Sequence, residues 1–149
     1  MNAPEMIVLP DTQALPDVRQ LAIQKVGVKD LRYPISVRTR DGEVQPTIAR
    51  WAMTVGLAHD VKGTHMSRFV EALEAWEAPL DVAGARDLAR AMLARLGAES
   101  GHLELAFPYF IRKVAPVSGV TSLLDYDATL SVAAEAGGRT HVTISLAAP

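Results

Sequence analysis

Val61-Lys62-Gly63-Thr64-His65-Met66-Ser67-Arg68-Phe69 is the stretch where the periodicity of this chain changes. Ahead of it the apolar residues alternate. Leu31, Tyr33, Ile35 and Val37 point one way and Arg32, Ser36 and Arg38 the other; a second run places Trp51, Met53, Val55 and Leu57 on one face. Period two is the spacing of a strand, and Asp41-Gly42 between the runs is a tight-turn pair, so the two are expected to form an antiparallel hairpin. Behind the stretch, Met66, Phe69, Val70, Leu73 and Trp76 recur at helical spacing.

Outward from there the pattern continues. Pro79 and Asp81 mark a break and an N-cap. Val82, Ala85, Leu88, Ala89, Met92, Leu93 and Leu96 form the stripe of a second helix, and Gly97 stands where a helix end favours a left-handed residue. Strands return after Gly101. Leu103, Leu105 and Phe107 alternate, with Pro108 suggesting an edge or a bulge. Leu124, Tyr126, Ala128, Leu130 and Val132 oppose Asp125, Asp127, Thr129 and Ser131. Ala136-Gly137-Gly138-Arg139 is a turn, and Val142, Ile144 and Leu146 follow on a last strand. Strands, two helices, then strands predict an α+β fold, an antiparallel sheet with two helices on one face. Residues 1–18 carry Pro4, Pro10 and Pro16 with little periodicity and read as an extended arm; residues 19–149 are the folded unit.

Composition narrows the function. With 149 residues, 49% of them hydrophobic and 21% charged, the chain has the make-up of one globular domain. A net charge of -2 gives no positive field for nucleic acid, and the basic residues are scattered, with only Arg32, Arg38 and Arg40 coming near a patch. There is no cysteine, which excludes a disulfide, a thiolate zinc site and a cysteine nucleophile within these residues. No apolar run approaches the roughly 20 residues of a membrane span, and Met1–Leu9 lacks the basic n-region of a signal peptide. A cytoplasmic protein with no membrane partner is the expectation.

The same quoted stretch carries the chemistry. Gly63 permits close backbone approach or positive φ. The first turn of the following helix offers unpaired N–H groups. Lys62, His65 and Arg68 add three side-chain donors. Together these are the ingredients of an anion site. The plainer reading is a pair of solvated cations and a packing histidine. Asp125 and Asp127 share a strand face and in principle suit acid–base work, but a solvated sheet face explains them as well. His59 and His65 have no familiar zinc spacing, and His102 and His141 fall on different strands, so no metal site is expected within the chain. Phe69, Trp76, Trp51 and Tyr126 lie on apolar stripes and read as core.

Lys62-Gly63-Thr64-His65-Met66-Ser67-Arg68-Phe69 resembles the signature of type IB GTP cyclohydrolases. Asp17-Val18-Arg19 with Ile23–Lys29 is similar to that family's opening strand, and Leu31-Arg32-Tyr33-Pro34 to its next. Val114–Gly119 with Leu124-Asp125-Tyr126 resembles a later family stretch, so the likeness covers roughly residues 11–149. The resemblance implies a tunnelling fold, in which ββααββ units join their sheets into a barrel with helices outside. Two units stand in tandem, and homo-oligomers, typically tetramers, place active sites between subunits.

The reaction so implied hydrolyses GTP at purine C8, releases formate and yields 7,8-dihydroneopterin triphosphate, on the way to tetrahydrofolate. A divalent metal in the full-length enzyme activates the water, an acidic residue holds the guanine edge, and cations with backbone donors hold the triphosphate. On the family pattern the metal-binding cysteine, its histidine and the guanine anchor lie in the C-terminal half, beyond Pro149. The expectation is therefore an incomplete, inactive portion that binds no cofactor alone and supplies Lys62, His65 and Arg68 to the substrate. A non-catalytic nucleotide-binding or assembly module is the alternative. A tunnelling-fold nitrile reductase is the weaker one, since its chemistry also requires a cysteine.

Overall fold

The computed structural model describes residues 25–56 and 65–147. The arm at 1–18, Leu57, His59 and Lys62 lie outside them. Five strands and two helices follow in the order β1 (Val26–Arg38), β2 (Val44–Val55), α1 (Ser67–Glu74), α2 (Val82–Leu96), β3 (Ser100–Val114), β4 (Thr121–Glu135) and β5 (Thr140–Ala147). The strands form one antiparallel sheet in chain order, β1-β2-β3-β4-β5. The α+β expectation holds, with both helices between β2 and β3 and the three later strands that alternation gives, one more than the ββααββ pattern of the resemblance.

Residues 23–29 and 31–34 do not make two strands. From Val26 on they belong to the single strand β1, interrupted by a bulge. Val28 pairs with Met53 and Leu31 with Trp51, so Lys29 and Asp30 together oppose Ala52. Asp30 takes φ 56°, a left-handed conformation that Asp tolerates better than most residues. One inserted residue reverses the side-chain parity. Val26 and Val28 before the bulge therefore share a face with Leu31, Tyr33, Ile35 and Val37 after it.

That face meets the helices. Trp51, Met53 and Val55 of β2, Leu103, Leu105 and Phe107 of β3, and Ala128, Leu130, Val132 and Ala134 of β4 are buried against Phe69, Leu73, Leu88, Ala89, Met92 and Leu93. Trp51 keeps its indole N–H satisfied on the Tyr33 carbonyl at 3.4 Å. α2 begins and ends where the sequence signals it. The Asp81 carboxylate accepts from Gly84 N–H at 2.7 Å. At the other end, Ala98 N–H bonds Leu93 O at 3.0 Å and Gly97 N–H bonds Ala94 O at 3.3 Å around Gly97 at φ 62°, a Schellman closure. α1 stops at Glu74, so Trp76 lies beyond it and is only half-buried. The segment between the helices is pinned to the outer edge of β1, since Leu80 N–H bonds Ser36 O at 2.7 Å and Arg38 N–H bonds Leu80 O at 2.8 Å.

The strands outrun the helices. β2 pairs with β3 only as far as Arg50–Ala106, and β5 with β4 only as far as Asp127–Ala147, while β3 and β4 stay paired out to Val114–Thr121. The tip of that pair is a two-stranded ribbon. Pro108 sits at its root, where β3 has lost one neighbour and a missing backbone donor is tolerated. Ile144 and Leu146, which alternation places on the apolar face, are 54% and 50% exposed, because the helices do not reach that end of β5.

Candidate functional site

α1 opens at Met66, which has helical angles and makes no side-chain cap. Two of the N–H groups expected to be free are turned inward: Arg68 N–H bonds His65 O and Phe69 N–H bonds Met66 O, each at 3.1 Å. His65 and Arg68 are both exposed and stand one helical turn apart. Arg68 also has a structural partner, since its Nη1 donates to Arg95 O at 3.2 Å. That carbonyl belongs to the last turn of α2 and is not among those the Schellman bonds satisfy, so a cation there answers both an orphan acceptor and the negative helix end. Arg95 in turn approaches Glu71 of α1 at 3.9 Å. One guanidinium carries five N–H donors, so the bond to Arg95 leaves Arg68 donors to spare.

The end of α2 runs directly into β3, and several bonds gather other elements at this end of the sheet. Ser100 O accepts from Gly56 N–H at 3.0 Å, and Glu99 O accepts from Ala136 N–H at 2.7 Å. Arg90 Nη2 donates to Gly138 O at 3.1 Å. On the sheet face away from the helices a depression of about 280 Å³ opens here, with Lys25, His102, Arg139 and His141 on its lining and Glu135 beside them. His102 and His141 both pair with Ala133, one from each side, so the small alanine leaves a notch between two imidazoles. His102 Nε2 is held by Ser131 Oγ at 2.8 Å.

Sequence reasoning set His102 and His141 apart because they occupy different strands. The signal that joins them is the register of the β4–β5 hairpin, fixed by the turn at 136–139. Lys25 and Arg139 carried no signal beyond their charge. Asp125 and Asp127 are exposed on the face away from the helices, the solvated arrangement. Phe69 and Trp51 are core, while Trp76 and Tyr126 are half-buried.

Among the described residues there is no group of three or more His, Cys, Asp or Glu side chains able to hold a metal. The described residues therefore offer no donor set that fits the divalent ion the resemblance implies. No helix among the described residues is long and apolar enough to cross a membrane.

The geometry defines a helix-backed antiparallel sheet with basic side chains collected at one end. The family model of type I GTP cyclohydrolase FolE2 matches residues 9–149, and the chain belongs to that family. It is similar to GTP cyclohydrolase FolE2 1 of Dechloromonas aromatica (strain RCB), 59% identical over 149 residues, which are all of this chain and 56% of that protein. Against GTP cyclohydrolase FolE2 of Paraburkholderia xenovorans (strain LB400) the identity is 57% over 124 residues, 83% of this chain and 46% of the other. GTP cyclohydrolase FolE2 of Azoarcus sp. (strain BH72) is 48% identical over 149 residues, 55% of its length. The chain spans about half the length of the curated relatives it matches.

Proposed function

We propose that these residues are part of a cytoplasmic type IB GTP cyclohydrolase, which hydrolyses GTP to 7,8-dihydroneopterin triphosphate and formate in tetrahydrofolate biosynthesis. The observation that carries this is the 59% identity, over the whole chain, to a protein named GTP cyclohydrolase. In this reading the chain supplies a tunnelling-fold unit, an assembly surface and the triphosphate end of the site. Lys62 and Arg68 neutralise phosphate oxygens and His65 donates a hydrogen bond beside them. Support comes from the exposure of His65 and Arg68 one turn apart and from the donors Arg68 retains. The water-activating metal and the guanine contact come from other parts of the enzyme, and no step is assigned here to either.

Assembly into a homo-oligomer, a tetramer in the family pattern, is supported by the outer strands. Among the described residues β5 has no neighbour on its far side, and β1 is covered there only at Ser36 and Arg38, by Leu80. Open edges of this kind call for a partner.

The alternative is a non-catalytic nucleotide-binding or assembly module. It is favoured by the absence of cysteine from the chain and of a metal-holding cluster among the described residues. Calorimetric titration of the full-length protein that carries these residues with GTP, read alongside its formate release in the presence of divalent metal, separates the two. Binding without formate selects the module. Within either reading, Lys62→Ala and Arg68→Ala should each weaken GTP binding by about 1.5–3 kcal/mol, the worth of a charge-assisted contact. Unchanged affinity in both would remove this corner from the site.

A further inference from the structure

The ribbon formed by the ends of β3 and β4 is the least self-sufficient part of the fold. Ten large apolar residues are exposed among those described, and six of them, Phe110, Val114, Val117, Val120, Leu123 and Leu124, lie between positions 110 and 124. Val117 at the tip is 99% exposed. Among the described residues the ribbon has no third strand and no helix over it; a bare ribbon of this kind is marginal in water, and apolar residues concentrated on one projection mark a contact surface.

The face of the ribbon turned away from the helices shows what kind of surface would cover it. In the β3–β4 register Phe110 stands opposite Asp125, and Arg112 opposite Leu123. All four are exposed. They make a square with apolar residues on one diagonal and opposite charges on the other. None of the ion pairs among the described residues joins Arg112 to Asp125. A twofold axis laid along the Phe110–Leu123 diagonal sets Phe110 against the partner's Phe110 and Leu123 against the partner's Leu123. The same rotation brings Arg112 to the partner's Asp125, and Asp125 to the partner's Arg112. Sheets meeting face to face in this way cross at close to a right angle, one of the two packings sheets adopt. An isologous contact demands just such a self-complementary patch.

We propose that this ribbon face docks on the same face of a second copy of the chain, through the Phe110–Leu123 diagonal and two reciprocal Arg112–Asp125 pairs. The inference rests on the assembly part of the reading above and adds to the sheet edges a second contact surface, and it does not depend on which reaction the enzyme performs. The charge pairs set register and exclude wrong partners while the apolar diagonal provides the attraction.

The experiment is sedimentation of the 149-residue chain over a wide concentration range, since a patch this narrow falls below the area of tight interfaces. Arg112→Asp and Asp125→Arg, both surface changes checked by circular dichroism for intact folding, should each weaken self-association by roughly tenfold or more, because each sets like charges together twice. An equimolar mixture of the two variants should associate again, since every contact in the mixed pair then joins an arginine to an aspartate. The double variant Arg112→Asp/Asp125→Arg should likewise recover. A chain that stays monomeric throughout overturns the proposal. So does a loss in the single variants that neither the mixture nor the double variant restores. An oligomer indifferent to both single changes sinks the ribbon as the contact while leaving assembly through the sheet edges standing.

Discussion

Leu103 and Leu123 are leucines on neighbouring strands of the same sheet, yet one is fully buried and the other is 55% exposed. Leu103 lies in the half of the sheet that α2 covers, with β2 and β4 on either side. Leu123 lies on the ribbon, where among the described residues β4 has only β3 beside it, and on the face turned away from the helices. The backbone pairing is the same kind in both places. What differs is whether anything lies on the faces. Strand pairing sets the register of the fold, and the helix layer turns half of the sheet into a core. The other half remains a surface.

The largest consequence is in stability. Leu103→Ala should cost about 2–5 kcal/mol, the range for a buried leucine whose cavity closes incompletely. Leu123→Ala should stay within about 0.5 kcal/mol in the monomer, as exposed substitutions do. Urea denaturation under dilute conditions measures both. A Leu123 effect as large as that of Leu103 would mean that the ribbon is covered even in the isolated chain.

Gly101 tests how closely the covered half is packed. It sits on β3 under α2, where an added methyl would lie 2.7 Å from Leu93 Cδ2, 3.0 Å from Thr54 O and 3.1 Å from Met92 Cε. Two of these neighbours are side-chain ends that can shift, but the carbonyl is backbone. Gly101→Ala should therefore destabilise by about 1–3 kcal/mol, the usual cost of overpacking. A stabilised variant would show that α2 rides on the sheet with slack. One step smaller, Asp81→Ala removes the cap that orients α2 over the sheet, and the expected loss is about 1 kcal/mol. It should appear in thermal unfolding with no change in the ribbon's behaviour.

The covered half is also the half that was legible in the sequence. Asp81, Gly97 and the stripe from Ala85 to Leu93 give α2 its bounds and its buried face, because capping and amphipathicity are local properties. Elsewhere the same rules ran out for identifiable reasons. Alternation assigned Ile144 and Leu146 to the apolar face correctly, but alternation says which way a side chain points and not what covers it. Lys29-Asp30 carries no turn signal, so the bulge was invisible and one strand read as two. Pro108 hid how far β3 extends, since proline within a strand is acceptable only where an edge is free, and edges are set by tertiary pairing.

The candidate corner shows the same division. Lys62, His65 and Arg68 are candidates named from local chemistry, whereas the bond from Arg68 to Arg95 O depends on how two helices meet and has no trace in sequence spacing. The convergence of His102, Ala133 and His141 follows from hairpin register, which was within reach once the turn at 136–139 was assigned.

The smallest effect separates the two halves most finely. Where β2 leaves β3, the side chain of Gln45 takes over as a substitute strand. Its Nε2 donates to Phe110 O at 2.9 Å and its Oε1 accepts from Phe110 N–H at 3.3 Å, the two bonds that a paired residue would exchange. Both are exposed, so Gln45→Ala should lower global stability by no more than about 0.5–1 kcal/mol. Its local effect should be clearer. Amide exchange at Phe110 should accelerate, because the ribbon opens independently of the core, while exchange at Leu103 and Leu105, under α2, should not change. Equal acceleration at all three positions would mean that ribbon and core open as one unit, and the contrast between the covered and uncovered halves of the sheet would then be one of exposure alone.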